Sequence, residues 1–157
     1  EALKDIGGHL SSGRVVDYYS GVGAIGLALH GKYKEAVLQS AANSNMSSGT
    51  VKVALVDTGT YTYSSAHEFY SSVSGVIGTP ATLGTKTFTN GVFDAADITY
   101  TAVSGATVEA FIIYIDTGTA GTSRLIAFID TGFTGLPVTP NSGDIAVAWN
   151  ASGIFAL

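Results

Sequence analysis

The chain has no cysteine among its 157 residues. That excludes disulfides, a thiolate metal site and a cysteine nucleophile. Charge is sparse as well: only 12% of residues are Asp, Glu, Lys or Arg, and the formal net charge is −5. Seven basic residues against twelve acidic ones leave no basic patch of the kind phosphate binding needs, so nucleic acid is not expected as a partner. Long apolar runs are missing too. The longest near the start, Val22-Gly-Ala-Ile-Gly-Leu-Ala-Leu29, is interrupted by glycine and falls well short of the roughly 20 residues a membrane span takes, so no membrane partner is expected. An acidic, polar segment precedes it, where a secretory signal would carry basic residues.

What is present points to one domain with an appendage. A chain of this length can bury roughly 70% of its unfolded surface, enough for a core without staples. The charge is uneven. Residues 1–52 carry five basic and four acidic groups, whereas residues 53–157 carry two and eight, so the two parts are expected to face different neighbours.

The centre of the fold is expected at Val108-Glu-Ala-Phe-Ile-Ile-Tyr-Ile-Asp-Thr-Gly118 and Leu125-Ile-Ala-Phe-Ile-Asp-Thr-Gly132. Each is an apolar run rich in β-branched and aromatic residues, bounded by turn residues. Such a run reads as a strand buried on both faces. The polar link Thr119–Arg124 makes an antiparallel hairpin the simplest connection. Thr50–Val56 is a further strand, and Asn90-Gly91 marks a hairpin between Lys86–Thr89 and Val92–Asp94. Ile98–Val103 alternates over a strand. So does Asp144–Trp149, with Ile145, Val147 and Trp149 on one face, and Ile154–Leu157 is expected to pair at an edge. The best helix is Lys32–Ala42, whose Tyr33, Val37, Leu38 and Ala41 share a face. The expected fold is mainly β: an antiparallel β-sandwich or barrel with one short helix, over residues 33–157.

Residues 1–32 are glycine-rich, which weakens both helix and strand. Yet they carry Val15, Val16, Tyr18, Tyr19, Ile25, Leu27 and Leu29. An apolar segment of this kind is expected to be an extended arm lying on a partner, and these seven residues are the candidate contacts.

Three Asp-Thr-Gly triplets, at Asp57, Asp116 and Asp130, are the sharpest motif. In aspartic proteases two such carboxylates share a proton and activate a water. The plainer reading is a turn at a strand end, with Asp binding its own backbone and Gly taking positive φ. Three copies, two of them fourteen residues apart at the ends of adjacent antiparallel strands, favour the turn. His9, His30 and His67 show no metal-ligand spacing, and Asp94 with Asp97 lacks an EF-hand pattern. Asn45 and Asn150 fit the glycosylation sequon, without a secretory signal to give it meaning. Trp149 reads as core before it reads as a sugar platform. No catalytic residue, metal or cofactor is expected.

From about Tyr33 onward the chain resembles a family of small virion proteins of tailed bacteriophages. The resemblance rests on an ordered set of segments: Tyr33-Lys-Glu-Ala36, Val51-Lys-Val-Ala-Leu-Val-Asp57, His67 with Phe69, Gly84-Thr-Lys86 through Thr89-Asn-Gly91, Asp97-Ile-Thr-Tyr100, Ile113-Tyr-Ile-Asp-Thr-Gly118, Ser123-Arg-Leu-Ile-Ala127 and Gly135-Leu-Pro-Val-Thr-Pro-Asn141. It implies a structural role in the particle, as a capsid decoration (cement) protein on the head surface, with the major capsid protein and further copies of itself as partners. A tail, head-tail connector or fibre component is the alternative. The resemblance supplies no catalytic residues, and residues 1–32 lie outside it.

Overall fold

The computed structural model describes residues 27–157. The protein is mainly β, of sandwich type, with one α-helix among the described residues. The elements in chain order are β1 (Leu27–Leu29), α1 (Gly31–Leu38), β2 (Thr50–Val56), β3 (Val76–Thr82), β4 (Val92–Phe93), β5 (Ile98–Tyr100), β6 (Ala110–Asp116), β7 (Arg124–Ile129), β8 (Ile145–Val147) and β9 (Phe155–Ala156). Five of the strands form one antiparallel sheet in the order β1-β7-β6-β2-β3. Two small antiparallel ribbons, β4-β9 and β5-β8, make a second layer.

The continuous apolar runs do what their composition requires. All of β7, and all of β6 except Asp116, are buried. One face of the sheet, with Val53, Leu55, Phe111 and Ile113, packs under α1 and the two ribbons. The opposite face, with Ala54, Val56, Ile112 and Tyr114, is covered by Tyr61, Tyr63, Tyr70 and Val73 from the long β2–β3 connection. A sheet covered on both sides has no solvent face, so strict polar alternation is not needed. The register of β6 and β7 shifts at Ile113 and Tyr114, opposite Ala127 and Leu125. This bulge lets Ile126 and Ala127, although consecutive, join the same core.

Several expectations change. β6 is the middle strand and β7 lies beside it inside the sheet, as expected, and the strand outside β7 is β1. The boundary drawn after residue 32 therefore moves: Leu27 pairs with Ile129 and Leu29 with Ala127, so both belong to the sheet. The helix ends at Leu38, with Ser40 at a φ of 52° after it. Its buried residues are Tyr33 and Ala36; Val37 and Leu38, expected on the packed face, are exposed. The Asn90-Gly91 turn takes positive φ at both residues, as a type I′ turn does. Its hairpin holds only the Thr87–Asp94 bridge, and Val92–Phe93 pairs instead with β9. The C-terminal Phe155–Ala156 thus joins a ribbon, not an edge of the main sheet. β5 and β8 are shorter than the alternating runs that announced them; a hydrogen bond from Trp149 N to Asp97 Oδ1 follows the end of the β5-β8 ladder.

Candidate interaction surface

The aspartates were the natural first candidates for chemistry. Asp116 ends β6 opposite Thr50, while Asp57 follows Val56 at the other end of the same ladder. Seven residues of strand, about 20 Å, separate them. Asp130 follows β7, at the Asp57 end of the sheet, two strand spacings or about 10 Å across. The carboxylates of Asp57 and Asp116 are turned into their own turns. Asp57 Oδ1 accepts from Gly59 N at 2.7 Å and its Oδ2 from Thr60 Oγ1 at 2.9 Å. Asp116 Oδ1 accepts from Gly118 N at 3.0 Å. Gly118 and Gly132 take the positive φ a turn glycine serves. Asp116 also pairs with Lys52 at 2.6 Å. The Lys52 ammonium and the Gly118 N–H hold its carboxyl below the usual range, the opposite of a proton-sharing pair.

The other candidates are also bound up in structure. Trp149 is buried, donates Nε1–H to Ala96 O, and meets Phe111 and Phe133 edge-on beside a cavity of about 530 Å³. Asn45 and Asn150 accept from backbone N–H groups two residues ahead. Asp97 accepts from Trp149 N. Among the described residues no group of three or more His, Asp or Glu side chains is placed to hold a metal. No helix among them is long and apolar enough to cross a membrane.

His30 is fully buried between β1 and α1. Neither imidazole nitrogen has a hydrogen-bond partner, and Tyr63 tilts against the ring at 5.0 Å. Burial, helped by nearby His67, pushes its pKa down to about 4. His67 takes the phenol of Tyr61 on Nδ1 at 2.9 Å. His30 packs against Tyr63 of the β2–β3 connection, and the Tyr61–His67 bond braces that connection internally.

Of the seven candidate arm residues, Leu27 and Leu29 lie in β1, half-buried against the core. Val15, Val16, Tyr18, Tyr19 and Ile25 lie outside the described residues.

The surface feature missed in the sequence is apolar. Leu38 is 86% exposed, Leu157 66%, Phe88 42% and Val37 37%; these are the large hydrophobic side chains on the described surface. Val37, Phe88 and Leu157 line a single groove of about 260 Å³, floored by Met46, Phe93 and Phe155. Ser44, Asn45 and Ser47 add polar groups to its wall, and no charged residue lines it. Lys86 holds one wall in place, its ammonium donating to the carbonyls of Met46 and Gly49. The signal in the sequence is Leu38 beside Val37 at the helix end, whose shared face with Tyr33 predicts burial instead.

No protein-family model matches the chain, and no curated protein matches it.

Proposed function

We propose that this protein is a structural component of a tailed-bacteriophage virion, decorating the outer surface of the head and stabilising the shell. The role is non-catalytic and takes no cofactor. Its partners are the major capsid protein and other copies of itself. The observation that carries this reading is the way the chain enters the domain. Its first described strand, β1, is the outermost of the five-stranded sheet, so the apolar, glycine-rich residues before Leu27 join the domain at an edge. A well-packed β unit with an apolar leader suits a protein whose work is contact across subunit boundaries. Contacts made only in the assembled state stabilise that state by mass action. The ordered resemblance over residues 33–157 supports the same reading, and the Asp57 and Asp116 carboxylates, committed to their own turns, give catalysis no support.

The test is the copy number of this chain in purified particles, measured by quantitative mass spectrometry against the major capsid protein. Hundreds of copies, shed with the shell on mild dissociation, are expected. A few to a dozen copies travelling with the tail would replace decoration with a connector or fibre role.

A further inference from the structure

The cavity beside Trp149 runs along an unpaired strand edge, and that placement names its occupant. We infer that an extended peptide segment of a partner protein docks there, adding a strand to β8.

β8 pairs with β5 on one side and has no strand on the other. Seven consecutive residues, 144–150, line the cavity of about 530 Å³. Extended, such a run spans about 20 Å. Burial alternates along it: Val147 and Trp149 are buried, Ala146 and Ala148 exposed. Yet residues of both sets line the cavity. A space on one face of a strand would meet only alternate residues. This one therefore borders the edge of the strand, where the backbone groups point. Trp149 N donates to Asp97 Oδ1, on the β5 side. Successive strand residues aim their N–H and C=O groups at opposite edges, so those of Ala146 and Ala148 face the cavity. No turn or loop hydrogen bond among the described residues engages them. A bare edge of this kind is a template for another chain.

The cavity selects among guests. Residues 132–136 line it too, so the edge opens into a slot. A slot of this volume admits one extended chain and excludes a folded domain, a second copy of this one included. Phe111, Phe133 and Ile154 make its lining apolar, and Trp149 spends its Nε1–H on Ala96 O. Asp144 alone is charged among the described lining residues, and it already accepts from Ala102 N. An acidic segment would meet no cation there and is disfavoured. A compact small molecule would leave most of the edge unpaired. An extended peptide pairs with it through its main chain, and apolar side chains at alternate positions meet the lining. The inference stands on β8 and holds whether or not the protein decorates a capsid.

Trp149 is the sole tryptophan of the chain and lines the cavity, so its fluorescence reports occupancy. The probe is a blocked heptapeptide of alternating valine and threonine with a lysine at each end, titrated into the full-length protein. A saturable shift with Kd at or below about 1 mM is expected. Two further probes carry N-methyl groups on alternate peptide nitrogens, one on each alternate set. With valine turned to the apolar lining, strand addition uses one set of nitrogens only. One methylated probe is therefore expected to bind about tenfold more weakly than the other. Equal binding by the two overturns the inference, and so does no shift with the unmethylated peptide up to about 1 mM. On the protein side, Ala148→Pro removes an edge donor and spares the β5 ladder, and is expected to weaken the unmethylated probe about tenfold with an unchanged far-UV spectrum. Wild-type affinity in the folded variant overturns the inference; should the variant misfold, the methylated pair still decides. A Trp149 signal that moves with protein concentration alone would seat a second copy at the edge, and also overturns it.

Discussion

At the scale of single residues, His30 carries the largest consequence for stability. It is buried without a hydrogen-bond partner, and its pKa lies near 4 against 6.5 for a free histidine. The folded state therefore resists protonation while the unfolded chain accepts it. With the folded pKa depressed, the unfolded state binds more protons between pH 6.5 and 4, and stability falls as pH falls through that window. Each unit of difference is worth about 1.4 kcal/mol, so about 2 kcal/mol should be gone by pH 5. Carboxylates with lowered pKa values, such as Asp116, lose their contribution only at lower pH, below the ordinary range of the group. Urea unfolding between pH 7 and 5 is expected to show the loss in wild type. In His30→Leu, which fills the site without a titratable ring, the slope should flatten. An equal slope in both proteins would mean that His30 is not the source of the loss.

At the scale of elements, the strands buried on both faces were legible because burial leaves a mark in composition. Thr50–Val56 needed no correction, and the two Asp-Thr-Gly runs became β6 and β7. What could not be read was which strands neighbour one another and where the ladders slip. β2 and β3 change register between Val53 and Leu55, which disturbs the backbone pairing there. Beside the shift, from the second layer, Tyr100 on β5 donates its hydroxyl to Val53 O at 2.8 Å. Burial raises the Tyr100 pKa, keeping the phenol a donor. An alternating Ile-Thr-Tyr strand announces itself; a tyrosine bonding another strand's backbone does not. Tyr100→Phe should remove a buried hydrogen bond and cost about 1 kcal/mol in chemical denaturation, with the m-value unchanged. A neutral substitution would mean that Val53 O finds another donor. The groove was illegible for a related reason. Helical spacing placed Val37 and Leu38 on the same face as Tyr33, but a helix of eight residues anchored by Tyr33 and Ala36 turns them outward.

At the scale of the molecule, the question is where the domain ends and the arm begins. Sequence composition put the line after residue 32, because glycines run through that whole stretch. The ladder puts it no later than Leu27. β1 pairs with β7 over three residues, and His30 N continues the pairing to Ile126 O at 2.8 Å. Leu27 and Leu29 pack on the main core, and His30 fills the space between strand and helix. Two truncations separate the alternatives. A chain starting at Leu27 keeps every described contact and is expected to unfold at the same denaturant midpoint as the full chain, while losing self-association and attachment to particles. A chain starting at Tyr33 loses the β1 ladder, the His30 packing and the first turn of α1. It also strips the edge of β7, an apolar strand, and a bare edge of that kind invites pairing with other chains. That truncation should lose at least about 2 kcal/mol and aggregate on heating. If the two truncations unfold alike, β1 contributes no stability and the domain boundary returns to the helix. If the chain starting at Leu27 still binds particles at full occupancy, the arm is not the attachment and the head contact lies on the β domain itself.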